Sequence, residues 1–270
     1  MMKKISTFLL FFFTLSIFAQ TTYLHCGQVF DSKTGKIKNE LTIIVEGQKI
    51  AKVEKGYIAP PIGATVVDLK NKTVYPGFID MHVHIESESN PKTYLKKYQL
   101  NPADIAYDAA VYAERSLMAG FTALRDLGGS GVNIALRNAI ENGKVPGSRI
   151  FTAGKTLSST GGHGDPTNGN KGSIQGDPGP KEGVVNSPAD ARKAVRQRYK
   201  NGADWIKITA TGGVLSVAKS GENPQFTAEE ILSITTTAKD YGMQVAAHAH
   251  GDEGMYRAVA NGVKTIEHGT

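Results

Sequence analysis

Two histidines separated by one residue carry much of the chemical information in this chain: His82 and His84, in Phe78-Ile79-Asp80-Met81-His82-Val83-His84. In an extended strand, residues i and i+2 point to the same side, so the two imidazoles share a face about 6–7 Å apart at the backbone. That is close enough to grip one metal ion. Alone, such a pair is a weak signal. It gains weight from His248 and His268, each closing a short apolar run, and from Lys207 inside another, Trp205-Ile206-Lys207-Ile208. Metal-assisted hydrolysis, with ligands near the tips of parallel strands, is the chemistry this set would serve.

Lys207 needs a reason to be where it is. It interrupts an apolar strand, and a buried ammonium is costly unless paired. Desolvation would lower its pKa and free the amine. A neutral amine can take up carbon dioxide and become a carbamate, a carboxylate able to bridge two metal ions. The other reading is a lysine whose head reaches a carboxylate at the rim. The residues alone leave both open.

The surrounding sequence supplies elements that would position these groups. From Thr22 to about Val74 it reads as short strands with turns. Leu41–Val45 and Lys49–Val53 flank Glu46-Gly47-Gln48 as a hairpin, and Thr65–Leu69 adds another strand. Such a region holds little core of its own. After Pro76-Gly77 the rhythm changes to strand then helix. Strands are predicted at Phe78–His84, Phe121–Arg125, Arg149–Ala153, Trp205–Ile208, Gln244–His248 and Val263–His268. Helices are predicted over Asp104–Ala119, over Val132–Glu141, and from Ser187, with Pro188 in the first helical position. Repeated βα units imply a mostly parallel sheet, open or closed. No G-x-G-x-x-G run opens the first helix, which weighs against a dinucleotide-binding sheet.

Residues 156–186 form a long stretch rich in Gly and Pro, including Gly161-Gly162-His163-Gly164-Asp165. Loops beyond about 12–15 residues are usually functional or disordered, and this one follows a strand, so an active-site loop is expected. An eight-unit barrel takes about 250 residues. From Pro76 the chain has 195 (270 less 75), so it reads as a barrel truncated after about strand six.

Composition sets broad bounds. With 40% hydrophobic and 21% charged residues, the chain is that of an ordinary globular protein. Lys3-Lys4 followed by apolar Ile5–Phe18 and Ala19-Gln20 reads as a signal peptide over residues 1–19, implying export to the periplasm or medium. Its removal would leave 29 basic against 25 acidic residues, a net charge of +4 instead of +6. No basic stripe with interleaved aromatics is visible along the sequence, so neither nucleic acid nor, after cleavage, a membrane is an expected partner. Cys26 is the single cysteine, which rules out an intrachain disulfide and reads, like His25, as structural.

Taken in order, the segments Pro76–His84, Thr122–Gly128, Gly202–Ile208, Thr211–Ser216, His248-Ala249-His250-Gly251 and Ile266-Glu267-His268-Gly269 resemble the amidohydrolase superfamily. Within it, the chain is most similar to prolidase-like and imidazolonepropionase-related members. The resemblance implies an α/β fold: a (β/α)8 TIM-type barrel over residues 76–270, with a small N-terminal β-sandwich portion begun by residues 20–75. It implies one or two zinc-type ions. His82 and His84 would hold the more buried ion, carboxylated Lys207 would bridge, and His248 and His268 would hold the second. His250 is expected near the substrate, with a ligand role as its alternative; His163 reads either as a substrate contact or as a plain loop histidine; and Asp80 and Asp126 read as carboxylates supporting the ligands. Relatives also use an aspartate at the end of strand eight, a position this sequence does not reach. The implied reaction is attack on an amide carbonyl by a hydroxide held between the ions. Small substrates are expected: Xaa-Pro-type dipeptides or N-acyl amino acids, with a lactam as a second reading. A homo-oligomer is compatible. The non-enzymatic alternative is a truncated remnant that binds metal without turnover.

Overall fold

The structure, a computed structural model, describes residues 21–217 and 219–270. The segment expected to be a signal peptide, residues 1–19, lies outside them. The chain divides into two compact units, one ending at Pro76 and the other running from Gly77 to Thr270.

The first unit is built from β1 (Thr21–Asp31), β2 (Lys36–Glu46), β3 (Lys49–Lys55) and β4 (Thr65–Val74). Its described strands make one sheet in the order β3-β2-β1-β4, antiparallel except for the parallel β1–β4 pair. The hairpin turns at Gly47, whose φ of 58° is the left-handed value that glycine adopts without cost. Cys26, Leu41, Ile43 and Ile44 are buried, as expected of Cys26, whereas Ile50 and Val53 are exposed. Gly27 lets β1 and β4 meet: a Cβ there would stand 1.9 Å from the Lys70 carbonyl oxygen.

The second unit alternates strands and helices. Its elements are β5 (Phe78–Val83), α1 (Thr93–Gln99), α2 (Pro102–Met118), β6 (Phe121–Asp126), α3 (Val132–Glu141), β7 (Arg149–Thr152), α4 (Gly172–Gln175), α5 (Pro188–Asn201), β8 (Trp205–Thr209), α6 (Ala228–Asp240), β9 (Gln244–Ala249), α7 (Asp252–Ala260) and β10 (Thr265–His268). The strands form two parallel sheets, β5-β6-β7 and β8-β9-β10. Between them, the Asp204 amide donates to the Thr152 carbonyl at 2.7 Å, and Leu157 bridges in parallel to Ile208.

Cap chemistry places the helices. Asn101 and Asp104 form a capping box before α2, and Thr227 and Glu230 form another before α6. Ser187 accepts from the Asp190 amide at the start of α5, and Gly202 ends that helix at φ 89°. The larger core layer packs Val195, Ile206, Ile208, Ile231, Ile234 and Val245 between β8–β9 and helices α5–α6. A second layer joins Ala109, Ala113, Leu124, Leu136 and Ile150. On the outer face of α5, Arg192, Lys193, Arg196 and Lys200 are all exposed and line one shallow groove. Positions four apart, separated along the sequence, are neighbours on a helix, which is why this cluster is not visible as a run of charge.

Candidate functional site

His82 sits in β5, His84 just beyond it, Lys207 at the centre of β8, His248 in β9 and His268 at the end of β10. The topology gathers all five. The His82 ring lies 5.3 Å from His84 and 4.9 Å from His268, and His248 lies 4.7 Å from His268, all between ring centroids. His250 stacks on His268 at 5.3 Å and His163 stacks on His248 at 4.3 Å. These seven side chains line one cavity of about 950 Å³, rimmed by the apolar Val214 and Leu215. His268 holds a φ of 74°, a left-handed value uncommon outside glycine, and strain of this kind concentrates at functional sites.

Lys207 is 3% exposed, and its Nζ lies 3.5 Å from His82 Nε2. Burial pushes its ammonium down to about 8; the charge of Glu267 opposes that shift and Arg125 adds to it. Burial also drives His82 and His248 down to about 3, with Lys207 and the neighbouring imidazoles adding to the effect. His84, His163 and His268 are lowered too, again chiefly by burial. Burial thus favours the neutral imidazole at His82, His84, His163, His248 and His268, and brings the Lys207 amine closer to losing its proton than a solvent-exposed lysine.

Four of the rings have one nitrogen held by a partner, His250 through Nδ1 at 2.7 Å from Thr270 Oγ1. His84 Nδ1–H donates to the Gly128 carbonyl at 2.9 Å, and His248 Nε2–H donates to the Gly212 carbonyl at 2.7 Å. His82 Nδ1 lies 3.2 Å from Glu267 Oε2. Because His82 is neutral, that contact is a hydrogen bond to a carboxylate and not an ion pair. Each of the three bonds to a carbonyl or carboxylate sets a tautomer and leaves the opposite nitrogen with its lone pair, the arrangement that ligating histidines need. His163 Nδ1 is buried without a hydrogen-bond partner among the described residues.

Glu267 went unassigned in the sequence reading, although it closes the frame of the site. Its Oε1 accepts from Arg125 Nη2 at 2.6 Å and from Thr265 Oγ1 at 2.7 Å, and both charged side chains are nearly fully buried. Arg125 donates further to the Met81 carbonyl at 2.7 Å and lies over the Trp205 ring at 4.8 Å. The available signal was the one that marked Lys207: a charge inside an apolar strand, here in both β6 and β10. Asp80 and Asp126 each hold a backbone amide at or beside a candidate ligand, and Asp126 holds two side chains as well. Asp80 accepts from the His82 amide. Buried Asp126 accepts from the Ile85 amide, Asn133 and Thr152.

Among the described residues, no group of three His, Cys, Asp or Glu side chains is set to hold a metal ion as it stands. The donor set nevertheless fits one. Imidazoles from β5 and its end, β9 and β10, three of them with one nitrogen anchored, converge on a buried amine, and nitrogen-rich sets of this kind suit zinc.

Parallel βα units carrying a histidine-rich cluster near the strand tips define an α/β protein of TIM-barrel type. The chain belongs to the amidohydrolase family, which matches residues 73–270, and is prolidase-like within it. It is similar to a solved Xaa-Pro dipeptidase with methionine bound in the active site: 48% identity, TM-score 0.88, covering 93% of this chain and 62% of that one. A solved prolidase complexed with N-methylphosphonate-L-proline is 34% identical, with TM-score 0.83 over 93% and 61% of the two chains. The ochratoxinase of Aspergillus niger is 28% identical over 93% of this chain and 54% of its own. The chain thus spans between half and two thirds of the length of these relatives.

Proposed function

We propose that this chain is the metal-binding part of a hydrolase that cleaves the amide bond of Xaa-Pro-type dipeptides or N-acyl amino acids. The observation that carries this reading is Lys207: a buried amine whose pKa is pulled down to about 8, set among imidazoles of which His82, His84 and His248 each have one nitrogen tied. One or two divalent ions would be held by His82 and His84 on one side and His248 and His268 on the other, with Lys207 as its carbamate between them. Forming the carbamate joins the neutral amine to carbon dioxide with loss of one proton. When bound, the ions would supply Lewis acidity, activating water and polarising the scissile carbonyl.

The chain's own residues do the remaining work. Glu267 and the Gly128 and Gly212 carbonyls hold the ring tautomers, so the lone pairs face inward. His163 has a donor position to offer a substrate carbonyl or carboxylate, and stacking on His248 fixes its ring. Val214 and Leu215 give an apolar wall for the acyl side. We further propose that residues 1–19 direct export; mature protein recovered from the periplasm or medium would then begin at Gln20.

The test is release of C-terminal amino acids from a panel of Xaa-Pro, Xaa-Arg and N-acyl amino acid substrates, with zinc and bicarbonate supplied. Turnover lost on chelation and restored by zinc is expected. Zinc binding with silence across the panel would leave a metal-binding module only. Ring-opening of a lactam in place of peptide cleavage would move the assignment to that chemistry.

A further inference from the structure

We propose that Arg198 is a positioning residue that clasps the neck of the 156–186 loop and so sets the place of His163 in the cavity. Arg198 is on α5, outside the site, and is 1% exposed. Its hydrogen bonds go to carbonyls at both feet of the loop: Nε donates to Lys155 O at 2.7 Å and Nη1 to Lys181 O at 3.2 Å. A guanidinium taken out of water is costly; the two carbonyl dipoles offset part of that cost, with Nη2 left without a partner among the described residues, and they bind the two feet to one another. Gly183 completes the fit. It has φ 111°, and a Cβ on it would stand 2.3 Å from Thr156 O and 3.0 Å from Arg198 Nη2.

The path from this clasp to His163 is continuous. Ser158 exchanges backbone bonds of 2.8 Å with Gly183 and Val185, so the two feet pair as short strands. On its other side, Leu157 donates to the Lys207 carbonyl at 2.8 Å and accepts from the Thr209 amide at 3.0 Å. Ser158 Oγ accepts from the Gly164 amide at 3.1 Å and from Thr209 Oγ1 at 3.0 Å. The His163 amide is tied to Gln225 Oε1 at 2.7 Å. Arg198 thereby acts on one strip of backbone that touches the bridging lysine's strand and carries the substrate-facing histidine. The arginine's effect on turnover rests on the function proposed above; its effect on the loop does not.

The experiment compares wild type with Arg198→Met and Arg198→Lys in the full-length protein, by hydrogen exchange and by kinetics. Arg198→Met should raise amide exchange in residues 157–185 by about 10-fold, with β9 unchanged. Arg198→Lys, which keeps the charge but cannot fork to two carbonyls, should fall between, and it serves alone if the methionine variant does not fold. KM should rise about 10-fold with kcat little changed, and adding His163→Ala should cause less than the product of the two single effects. Loop exchange equal to wild type, a rise spread evenly over the second unit, or full additivity with His163→Ala would each overturn the proposal. If no substrate is turned over by wild type, the function proposed above fails, and the exchange data still decide the clasp.

Discussion

At the scale of single residues, the site depends on charges that never meet solvent. Glu267 stands between a permanent cation, Arg125, and a neutral ring, His82, and orients the second by virtue of being fixed by the first. Glu267→Gln keeps the shape but withdraws the charge, leaving Arg125 buried with weaker partners. Breaking a buried pair this way costs about 3–5 kcal/mol, and loss of a ligand-orienting carboxylate lowers metal affinity by roughly 10–100-fold. Urea unfolding and competitive zinc titration would register the two effects separately. Asp126 offers a pH signature. Burial pushes its carboxyl up to about 6, against hydrogen bonds from Ile85, Thr152 and Asn133 that pull it down. The folded chain therefore holds the proton more tightly than the unfolded chain, whose carboxyl titrates near 3.8. This group's stabilisation is complete below about pH 4 and is lost as the pH rises through 6, by about 3 kcal/mol in all. Asp126→Asn cannot titrate, so the stability gap between wild type and variant should shift by that amount between pH 4 and 7, with wild type losing ground as the pH rises. A gap independent of pH would refute the assignment.

At the scale of elements, the strands were legible because each is a short apolar run bounded by turn residues, and Val132–Glu141 because its helical period is clean. Lys207 stood out because a charge broke an apolar run. The same signal was present at Arg125 and Glu267, but their partnership spans 142 positions, and no local pattern reports which distant charge answers which. The expectation that the 156–186 stretch is an active-site loop comes from its Gly and Pro content, and the structure places its Thr156, His163 and Gly164 against the cavity. Its pairing with β8, and its clasp by Arg198, were not legible, since both rest on backbone carbonyls that any residue supplies. The loop from Thr211 to Ser216 shows the same limit. Gly213 serves both a turn and a close approach: its carbonyl accepts from the Ser216 amide at 3.0 Å, and a Cβ there would lie 2.7 Å from His163 Cε1. Gly213→Ala should therefore tilt His163 off His248 and lower kcat/KM by roughly 10–100-fold, with little change in unfolding midpoint. Unchanged kinetics would mean that the ring is not held by this loop.

At the scale of the whole second unit, the candidate ligands come from both sheets: His82 and His84 from β5 and its end, Lys207, His248 and His268 from β8, β9 and β10. Between β7 and β8 the sheets meet through the Asp204–Thr152 bond and the Leu157–Ile208 bridge. Ions held across this set would add to the links the sheets already have, among them the Arg125–Glu267 pair, the His82–Glu267 bond and the small core layer of Leu127, Ala153 and Ala246. Binding to the folded form alone stabilises by mass action, about 2.7 kcal/mol at a free zinc concentration 100 times Kd. For a unit of this size, each kcal/mol moves Tm by about 2–4 °C, so zinc should raise it by about 5–10 °C. The carbamate reading adds a condition that simple histidine binding does not. Part of the rise should appear only when bicarbonate is present, and Lys207→Met should abolish that part while keeping a smaller, bicarbonate-independent shift from the four imidazoles. A thermal scan over zinc and bicarbonate concentrations separates these outcomes. The same full shift in Lys207→Met would remove the lysine from the metal site and leave it as a buried amine serving the strand alone.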